Sequence, residues 1–233
     1  MKDYDTKILG DGSIGAGKYN NIKIMGNGTT LGDIECLDIK VMGNGEFRGK
    51  VDARKVKVMG DSTFYYDTKV KENMKILGDM TLEESLTGKY IKILGDLKVK
   101  KNLIFDEVNV LGSMKILGNC EGNYFYNKGE VIVEGLLSAD KIEIEPRRLS
   151  RIEEIGGSEI IIKKSGWFNI IGGKVSSKLI EGDTIILQNT NCNIVRGHNV
   201  TILEGCSIDK IEYTGNLKVD KKSKVGEEIC LKN

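Results

Sequence analysis

The chain has 233 residues, with 35 lysines and arginines against 34 aspartates and glutamates and a formal net charge of +1. This balance excludes the strongly basic composition of a general nucleic-acid-binding protein, so we expect no specific nucleic-acid binding. Twenty-nine glycines, one proline and few aromatic residues exclude a proline-rich disordered chain and are typical of regular strands joined by many turns.

The first residues, MKDYDTKILGDG, are charged and contain no apolar core of the kind that signal peptides have. No apolar run in the chain approaches the ~18 residues that a membrane-spanning helix needs. The five cysteines are odd in number and lack a paired metal-binding spacing. We therefore expect a cytoplasmic protein with reduced cysteines that mainly pack in the interior, with peripheral association with a membrane as a further option.

A six-residue motif recurs along the first hundred residues. Each copy has the form apolar, polar, apolar, apolar, glycine, and then asparagine or aspartate, so apolar residues alternate over its first three positions. The copies begin at Thr6, Ile22, Ile39, Val56, Met74 and Ile91, in steps of 16 to 18 residues. Alternation predicts a short strand, and the Gly-Asn or Gly-Asp pair predicts a corner, because glycine and then asparagine best tolerate a positive φ.

A weaker pattern fills the space between the copies. Residues 46–61 predict three short strands, one around Phe47, one over Val51 and Ala53, and one over Val56 and Val58. A fixed period with one such unit per repeat indicates a solenoid. We therefore predict an all-β fold, a parallel β-helix with three-strand coils of ~17 residues. Steps that depart from a strict 18-residue rule favour a right-handed coil.

After residue 97 the repeat continues with uneven steps. Its later copies begin at Val108, Met114, Val131, Ile142, Ile160, Ile185, Val200 and Ile211. The only proline, Pro146, stands in the most irregular stretch, where we predict a loop or a break in the ladder. We predict regular coils over residues 1–145 and a less regular continuation of the same solenoid over residues 146–233.

The segment GDIECLDIKVMGNGEFRGKVDARKVKVMGD resembles the bactofilins, the bacterial polymer-forming cytoskeletal proteins. The resemblance is carried by the 17-residue step and by the spacing of apolar residues from Phe47 to Val58, and it extends over roughly residues 6–145. It implies a right-handed β-helix that self-assembles into filaments without nucleotide, metal or cofactor. Unlike a typical bactofilin, this chain has a core that fills almost its whole length.

The second position of the repeat is always lysine: Lys7, Lys23, Lys40, Lys57, Lys75 and Lys92. In stacked coils these residues would form a ladder on one face. One interpretation is an anion-binding ladder for a polyanion, which could be acidic membrane lipid, a cell-wall-associated polymer of the teichoic type or nucleic acid. The other is a solvated face that was copied with the repeat and discourages sheet pairing at the edge.

Two further positions of the repeat leave questions open. The fourth position holds Met25, Met42, Met59, Leu77, Leu94 and Leu111. These side chains either form an exposed apolar stripe or turn into the core at a bulge. The sixth position holds Asn27, Asn44, Asp61, Asp79 and Asp96. Stacked carboxylates occur in glycosidases, but a position after glycine favours ordinary turn residues.

Nothing else in the sequence provides a matched catalytic acid and base. His198 is the only histidine, which excludes a three-histidine zinc site. The arginines Arg147, Arg148 and Arg151 fall in a loop-like stretch, and no glycine-rich segment has the setting of a phosphate-binding loop. We therefore expect no enzymatic activity and no cofactor or metal. A polysaccharide-binding or polysaccharide-cleaving β-helix and a monomeric adaptor that uses the lysine face are the alternatives.

The ends of the solenoid are the predicted contacts for self-association. The sequence offers no capping helix before the first repeat or after the last strand, and a solenoid normally needs polar caps. We expect copies of the chain to dock through Ile8 and Ile14 at one end, or through Val225, Ile229 and Leu231 at the other. The predicted assembly is a homo-oligomer or a filament. We therefore predict that the protein acts as a structural scaffold.

Overall fold

The computed structural model describes residues 4–145, 147–164 and 173–231. These residues form β-strands that pair in parallel, and they include no helix. The chain divides into two compact units, residues 1–118 (unit 1) and residues 119–233 (unit 2). The prediction of an all-β parallel solenoid is confirmed, while the handedness of the coil stays a prediction. No helix among the described residues is long and apolar enough to cross a membrane.

Unit 1 contains fourteen described strands. They are β1 (Tyr4–Ile8), β2 (Gly12–Ile14), β3 (Gly17–Ile24), β4 (Asn27–Thr30), β5 (Ile34–Val41), β6 (Asn44–Phe47), β7 (Val51–Val58), β8 (Asp61–Phe64), β9 (Thr68–Ile76), β10 (Asp79–Leu82), β11 (Leu86–Ile93), β12 (Asp96–Val99), β13 (Leu103–Val110) and β14 (Ser113–Ile116). From β3 onwards, a long strand and a four-residue strand alternate. Each long strand pairs with the long strand one coil away, and each short strand pairs with the next short strand.

Each regular coil of unit 1 therefore has two strands, whereas the sequence pattern predicts three. The strands predicted over Val51 and Ala53 and over Val56 and Val58 are both part of β7. Between them, Arg54 and Lys55 are two consecutive residues that do not point into the core, so the inward alternation shifts there by one residue. The long strand bends at this place while its backbone ladder continues, which merges two predicted strands into one.

The core of unit 1 is a column of side chains, each stacked on the corresponding residue of the next coil. One row of this column, at the end of each long strand, is fully buried. It contains Ile24, Val41, Val58, Ile76, Ile93 and Val110. The rings of Phe47 and Phe64 stack on neighbouring coils with centroids 4.1 Å apart. Identical inward positions on successive coils thus account for the strict apolar spacing of the repeat.

The corner glycines are required by the close approach of neighbouring coils. A Cβ atom on Gly43 would lie 2.2 Å from the carbonyl oxygen of Gly26, and one on Gly60 would lie 2.2 Å from that of Gly43. The prediction that these glycines provide a positive φ is wrong, because none of them has one. Steric exclusion of a side chain, rather than backbone conformation, fixes glycine at these corners.

Unit 2 contains eight described strands, four of which are longer than any strand of unit 1. They are β15 (Cys120–Asn127), β16 (Glu130–Ile144), β17 (Ser150–Ile162), β18 (Val175–Leu187), β19 (Thr190–Ile202), β20 (Ser207–Tyr213), β21 (Leu217–Val219) and β22 (Lys224–Cys230). Strands β16 to β19 pair in parallel over almost their full length, with Ile142, Ile160, Ile185 and Val200 in one row. The uneven steps predicted from the sequence are therefore compatible with a continuous register in this unit.

Parts of the sequence predictions for the second half are not covered by the structure. Pro146, and with it the centre of the predicted break, lies outside the described residues. The 25-residue step from Ile160 to Ile185 includes residues 165–172, which also lie outside them. The predicted change in regularity near residue 146 stays a prediction, and the division into units lies after Gly118.

Candidate functional site

The repeat lysines lie side by side on unit 1. Strand pairing places each lysine in register with the lysine of the next coil, from Lys7 and Lys23 to Lys75 and Lys92. The next residue in this row is Asn109 on β13. All six side chains are exposed or half-buried. The predicted stacking is thus present, and we call these six residues the lysine ladder.

The lysine ladder has no ionic partner among the described residues, unlike several other lysines of unit 1. Lys18 pairs with Glu35 at 2.6 Å, and Lys71 pairs with Asp52 at 2.7 Å. Among the described residues, none of the six ladder lysines forms an ion pair. Two ammonium groups ~5 Å apart in water repel by about 0.9 kcal/mol before screening. The ladder is therefore a row of uncompensated charge that an acidic partner would stabilise.

The fourth position of the repeat is exposed, which resolves the question that the sequence leaves open. Met25, Met42, Met59, Leu77, Leu94 and Leu111 expose 37 to 42% of their surface, and Leu9 of the first copy exposes 66%. The backbone N–H of Met42 donates to the carbonyl oxygen of Ile24 at 2.8 Å, and the same bond recurs from coil to coil. These seven residues, here the Met/Leu ridge, form one exposed apolar line beside the lysine ladder.

The sixth position forms a row on the other side of the Met/Leu ridge. This Asx row contains Asp11, Asn27, Asn44, Asp61, Asp79 and Asp96, all exposed. In its first half the side chains bond to each other: Asn27 Nδ2 donates to Asp11 Oδ1 at 2.7 Å, and Asn44 Nδ2 donates to Asn27 Oδ1 at 2.9 Å.

The second half of the Asx row consists of carboxylates alone. Asp61, Asp79 and Asp96 have neither an ion pair nor a side-chain hydrogen bond among the described residues. Their backbone N–H groups donate to the corner glycines of the preceding coil at 3.1 to 3.2 Å. They thus serve as corner residues in the backbone, as the sequence predicts, while their carboxylates face solvent uncompensated.

Two open grooves lie along the units. In unit 1 a groove of about 720 Å³ is lined by basic and acidic side chains, among them Lys50, Asp52 and Asp67. In unit 2 a groove of about 540 Å³ includes Asp140, Glu154 and Asp183. No group of three or more metal-ligating side chains is present among the described residues. The polysaccharide-related alternative stays a prediction.

Glycines in the floor of the unit 2 groove have a structural explanation. A Cβ atom on Gly157 would lie 2.3 Å from the carbonyl oxygen of Ala139, and one on Gly182 would lie 2.2 Å from that of Gly157. Close stacking of the strands therefore requires glycine at both positions. The glycine floor is not a sign of a ligand.

A charge network on unit 2 was not apparent in the sequence. Lys141 Nζ lies 2.9 Å from Glu143 and 3.0 Å from Glu159, and the Tyr124 hydroxyl donates to Glu143 at 3.0 Å. The hydrogen bond from Lys141 and that from Tyr124 hold the pKa of Glu143 below its ordinary value, against the opposing effect of burial. Burial and the bond to Glu143 raise the pKa of Tyr124 to about 12. This compensated network stabilises neighbouring strands.

The remaining polar candidates do not form a catalytic arrangement. His198 is exposed, with Nδ1 2.9 Å from the Thr214 hydroxyl oxygen. Arg147, Arg148 and Arg151 are exposed, and Arg148 lies 3.7 Å from Glu130. None of these four side chains is among the residues that line the two grooves.

The cysteines match the expectation of unpaired residues that mainly pack in the interior. Cys36, Cys120, Cys192 and Cys206 are buried and free, and Cys230 is free and exposed. Burial raises the pKa of the Cys36 thiol to about 11 and that of Cys192 to about 12. The four buried thiols therefore stay protonated at neutral pH and are poor nucleophiles.

The predicted end-contact residues differ in exposure. Ile8 is only 7% exposed and stacks on Ile24, and Ile14 is half-buried. At the other end, Val225 and Ile229 on β22 are half-buried, and Leu231 is 50% exposed.

The register of β22 assigns these residues different positions. Val225 pairs with the buried Ile208, as expected for the apolar column. Ile229 pairs with Glu212, and it is Glu228 that pairs with the buried Ile211. A carboxylate thus occupies one position at which the preceding coil has an apolar residue.

Two Bacillus subtilis (strain 168) proteins resemble part of this chain. It is 37% identical to the uncharacterized protein YhbF over 99 residues, and this matched region covers 42% of this chain and 42% of the relative. It is 32% identical to the uncharacterized protein YhbE over 99 residues, and this matched region covers 40% of this chain and 42% of the relative. The chain thus spans about two fifths of the length of these curated relatives. No family model and no solved structure matches it.

Proposed function

We propose that this chain is a non-enzymatic, bactofilin-like structural protein of the cytoplasm that self-associates through the ends of its solenoid. The observation that carries the proposal is the outer edge of β22. Among the described strands, β22 pairs only with β20. Its seven residues are extended, and the backbone N–H and C=O groups that point away from β20 have no strand partner in the described part of the chain. An unpaired edge of this kind is a template for a strand of another molecule.

The side chains of β22 favour an edge contact over the docking of two apolar surfaces. Val225 offers one apolar side chain in line with the core, whereas Glu228 places a charge in line with Ile211. Backbone hydrogen bonds would thus provide much of the contact, with Val225, Ile229 and Leu231 as the apolar part. Ile14 at the other end is the half-buried counterpart, and Ile8 contributes less because it is already covered.

The test compares assemblies of the unmutated protein with those of a Val225→Lys, Ile229→Lys double variant. Ile104→Lys is the matched control, because Ile104 is an exposed apolar residue (53%) on unit 1. Sedimentation velocity and negative-stain electron microscopy should show assemblies for the unmutated and control proteins and shorter assemblies for the double variant. Circular dichroism verifies that all three are folded. Equal assemblies in all three proteins would overturn the assignment to the ends.

A further inference from the structure

We propose that unit 1 also binds a second copy of this chain laterally, with the two coil axes parallel and the Met/Leu ridges in contact. This surface is separate from β22, so the inference does not depend on association through the ends. It rests on the order of side chains across the ridge and on charges that have no ionic partner among the described residues of the same copy.

The same order of outward positions is present on six of the seven coils of the ridge, the exception being the coil of Leu111, which has Asn109 and Ser113 on its flanks. Lysine at position i is followed by an apolar residue at i+2 and by asparagine or aspartate at i+4. On the coil that joins β7 and β8 these residues are Lys57, Met59 and Asp61. Strand pairing keeps the lysine and Asx rows aligned from coil to coil, and backbone hydrogen bonds such as that from the Met59 N–H to the Val41 carbonyl oxygen keep the ridge aligned. The surface of unit 1 is therefore a basic line, an apolar line and a polar or acidic line, in parallel.

A two-fold axis parallel to the coil axis makes this surface complementary to itself. Rotation about such an axis exchanges the two sides of the ridge while each coil keeps its height. The lysine of one copy then faces the Asx residue of the same coil in the other copy. Lys57 faces Asp61 of the second copy, and the two Met59 side chains meet at the axis. One geometry thus satisfies these six coils together, as an isologous interface requires.

An antiparallel arrangement of the two copies does not give complementary charges. A two-fold axis perpendicular to the coil axis, which gives antiparallel copies, places lysine opposite lysine and aspartate opposite aspartate. Like charges in such positions are strongly unfavourable at an interface. The parallel arrangement instead relieves two repulsions, one within the lysine ladder and one among Asp61, Asp79 and Asp96. None of these residues has an ionic partner within the part of the chain that the structure describes.

The size of the surface fits a contact between proteins. Seven coils spaced ~4.8 Å apart give the Met/Leu ridge a length of roughly 30 Å. Its members each expose at least 37% of their surface, so they form one continuous apolar line. A strip this narrow buries less than a standard stable interface of about 1,600 Å², and a Kd in the micromolar range is the expectation.

The acidic row distinguishes a second copy from an anionic membrane. A membrane would attract the lysine ladder and solvate the Met/Leu ridge, but it would repel Asp61, Asp79 and Asp96 on the other flank. Only a partner with both signs of charge in the reversed order satisfies both flanks. This chain carries that pattern itself, which is why a second copy is the occupant that fits.

The test uses charge reversal on each flank. One variant carries Lys57→Glu, Lys75→Glu and Lys92→Glu, and another carries Asp61→Lys, Asp79→Lys and Asp96→Lys. A third carries all six changes. The control variant reverses three exposed lysines away from the ridge, Lys50, Lys69 and Lys101, to glutamate. Every protein, including the reference, also carries Val225→Lys and Ile229→Lys, so that contacts at the β22 end do not contribute to the measured dimer.

Sedimentation velocity over a concentration series gives the dimer Kd. Each one-flank variant should weaken the dimer at least tenfold, because both flanks then have the same sign. An equimolar mixture of the two should form a heterodimer, and the six-change variant should return to within about threefold of the reference, as should the control. A monomeric reference, or a six-change variant as weak as the one-flank variants, would overturn the inference. Retention of the monomeric reference on vesicles of anionic phosphatidylglycerol would favour a membrane instead.

Cysteine cross-linking tests the orientation of the copies. Met25→Cys and Leu94→Cys, each with Cys230→Ser to remove the exposed thiol, lie on opposite sides of the middle of the ridge. In the parallel dimer each new cysteine meets its own counterpart, and mild oxidation should link both variants with themselves. In an antiparallel dimer neither would self-link, but a mixture of the two would. That second pattern would contradict the proposed geometry.

Discussion

Lys57 and Lys75 occupy the same register position on neighbouring coils of unit 1, although eighteen residues separate them where most coils repeat after seventeen. A β-bulge absorbs the additional residue: Ala53 pairs with Val70, but Lys55 pairs with Asn73. Beyond the bulge, the row continues in register through Lys75 and Lys92. The lysine ladder, the Met/Leu ridge and the Asx row are thus preserved across an irregular coil.

Deletion of Glu72 should convert this coil into a regular one. Glu72 lies at the bulge and pairs with Lys55 at 3.4 Å in an exposed ion pair, which is worth little. We expect the free energy of unfolding to change by less than about 1 kcal/mol. Deletion of Met74, which is 1% exposed, should instead place Asn73 in the core position at a cost of about 3 kcal/mol or more. Denaturant unfolding of the two variants measures this difference, and equal losses would contradict the register described here.

The corner glycines should differ sharply in their tolerance of a methyl group. Gly60→Ala places a Cβ atom 2.2 Å from the Gly43 carbonyl oxygen, whereas nothing lies within 4 Å of such an atom on Gly10. We expect Gly60→Ala to lower the free energy of unfolding by more than about 2 kcal/mol, and Gly10→Ala to change it by less than about 0.5 kcal/mol. Urea unfolding followed by circular dichroism is the measurement. A tolerated Gly60→Ala would show that the corner can open.

The stacked phenylalanines should be a main contribution to the core of unit 1. Phe64 is fully buried against Phe47, while its neighbour Tyr65 is 38% exposed. Phe64→Ala should cost about 3 to 5 kcal/mol, because it removes a large buried ring and leaves a cavity. Tyr65→Ala is the control and should cost less than about 1 kcal/mol. Thermal unfolding of both variants in one buffer distinguishes the two positions.

The repetition of the sequence accounts for how much of the fold could be predicted. Because the inward position of every coil is a copy of the last, Ile22, Ile39 and Val56 predict the column and its period without knowledge of long-range contacts. The lysine ladder follows from the same period. What the period does not determine is how a short segment turns at a corner, and this is why three strands per coil were predicted where there are two.

The exposure of the Met/Leu ridge and the role of the glycines could not be predicted for the same reason. Met42 stands at a corner, where alternation has too few residues to decide between inward and outward. Gly26 of the preceding coil leaves no room for a side chain at position 43, and these two residues are seventeen positions apart in the sequence. Likewise, the network of Lys141, Glu143 and Tyr124 depends on the register of β15 against β16, which no local pattern specifies.

The network on unit 2 predicts a specific dependence of stability on pH. The pKa of Glu143 is lower in the folded protein than its ordinary value of 4.5, mainly because of the hydrogen bond from Lys141. The contribution of ionised Glu143 to the free energy of unfolding is therefore present above about pH 4.5, and it is lost as the pH falls through the pKa of Glu143 in the folded protein. Because the group is partly exposed, we expect a contribution of less than about 1 kcal/mol.

Glu143→Gln should remove this part of the pH dependence. The difference in unfolding free energy between the unmutated protein and the variant should be larger at pH 7 than at pH 3. Exposed Glu121 on the same unit is the control position, and Glu121→Gln should give no such difference. A constant difference at both pH values would mean that Glu143 is not stabilised as an anion.

The thiols should react in two classes. Cys230 is exposed, whereas Cys36, Cys120, Cys192 and Cys206 are buried, and burial raises their pKa values. A thiol reagent at neutral pH should modify one cysteine per chain rapidly and the other four only when the protein is unfolded. Cys230→Ser should abolish the rapid phase. Rapid modification of two or more cysteines in the native protein would show that the coils open locally.

Self-association is tested most directly by sedimentation velocity of the unmutated protein over a range of concentrations extending well above micromolar. The monomer has a mass of 25.8 kDa. Species of higher mass whose fraction increases with concentration are the predicted result, and negative-stain images should show them as assemblies. A single 25.8 kDa species at every concentration would contradict both the contact at the β22 end and the lateral contact, and would favour a monomeric adaptor.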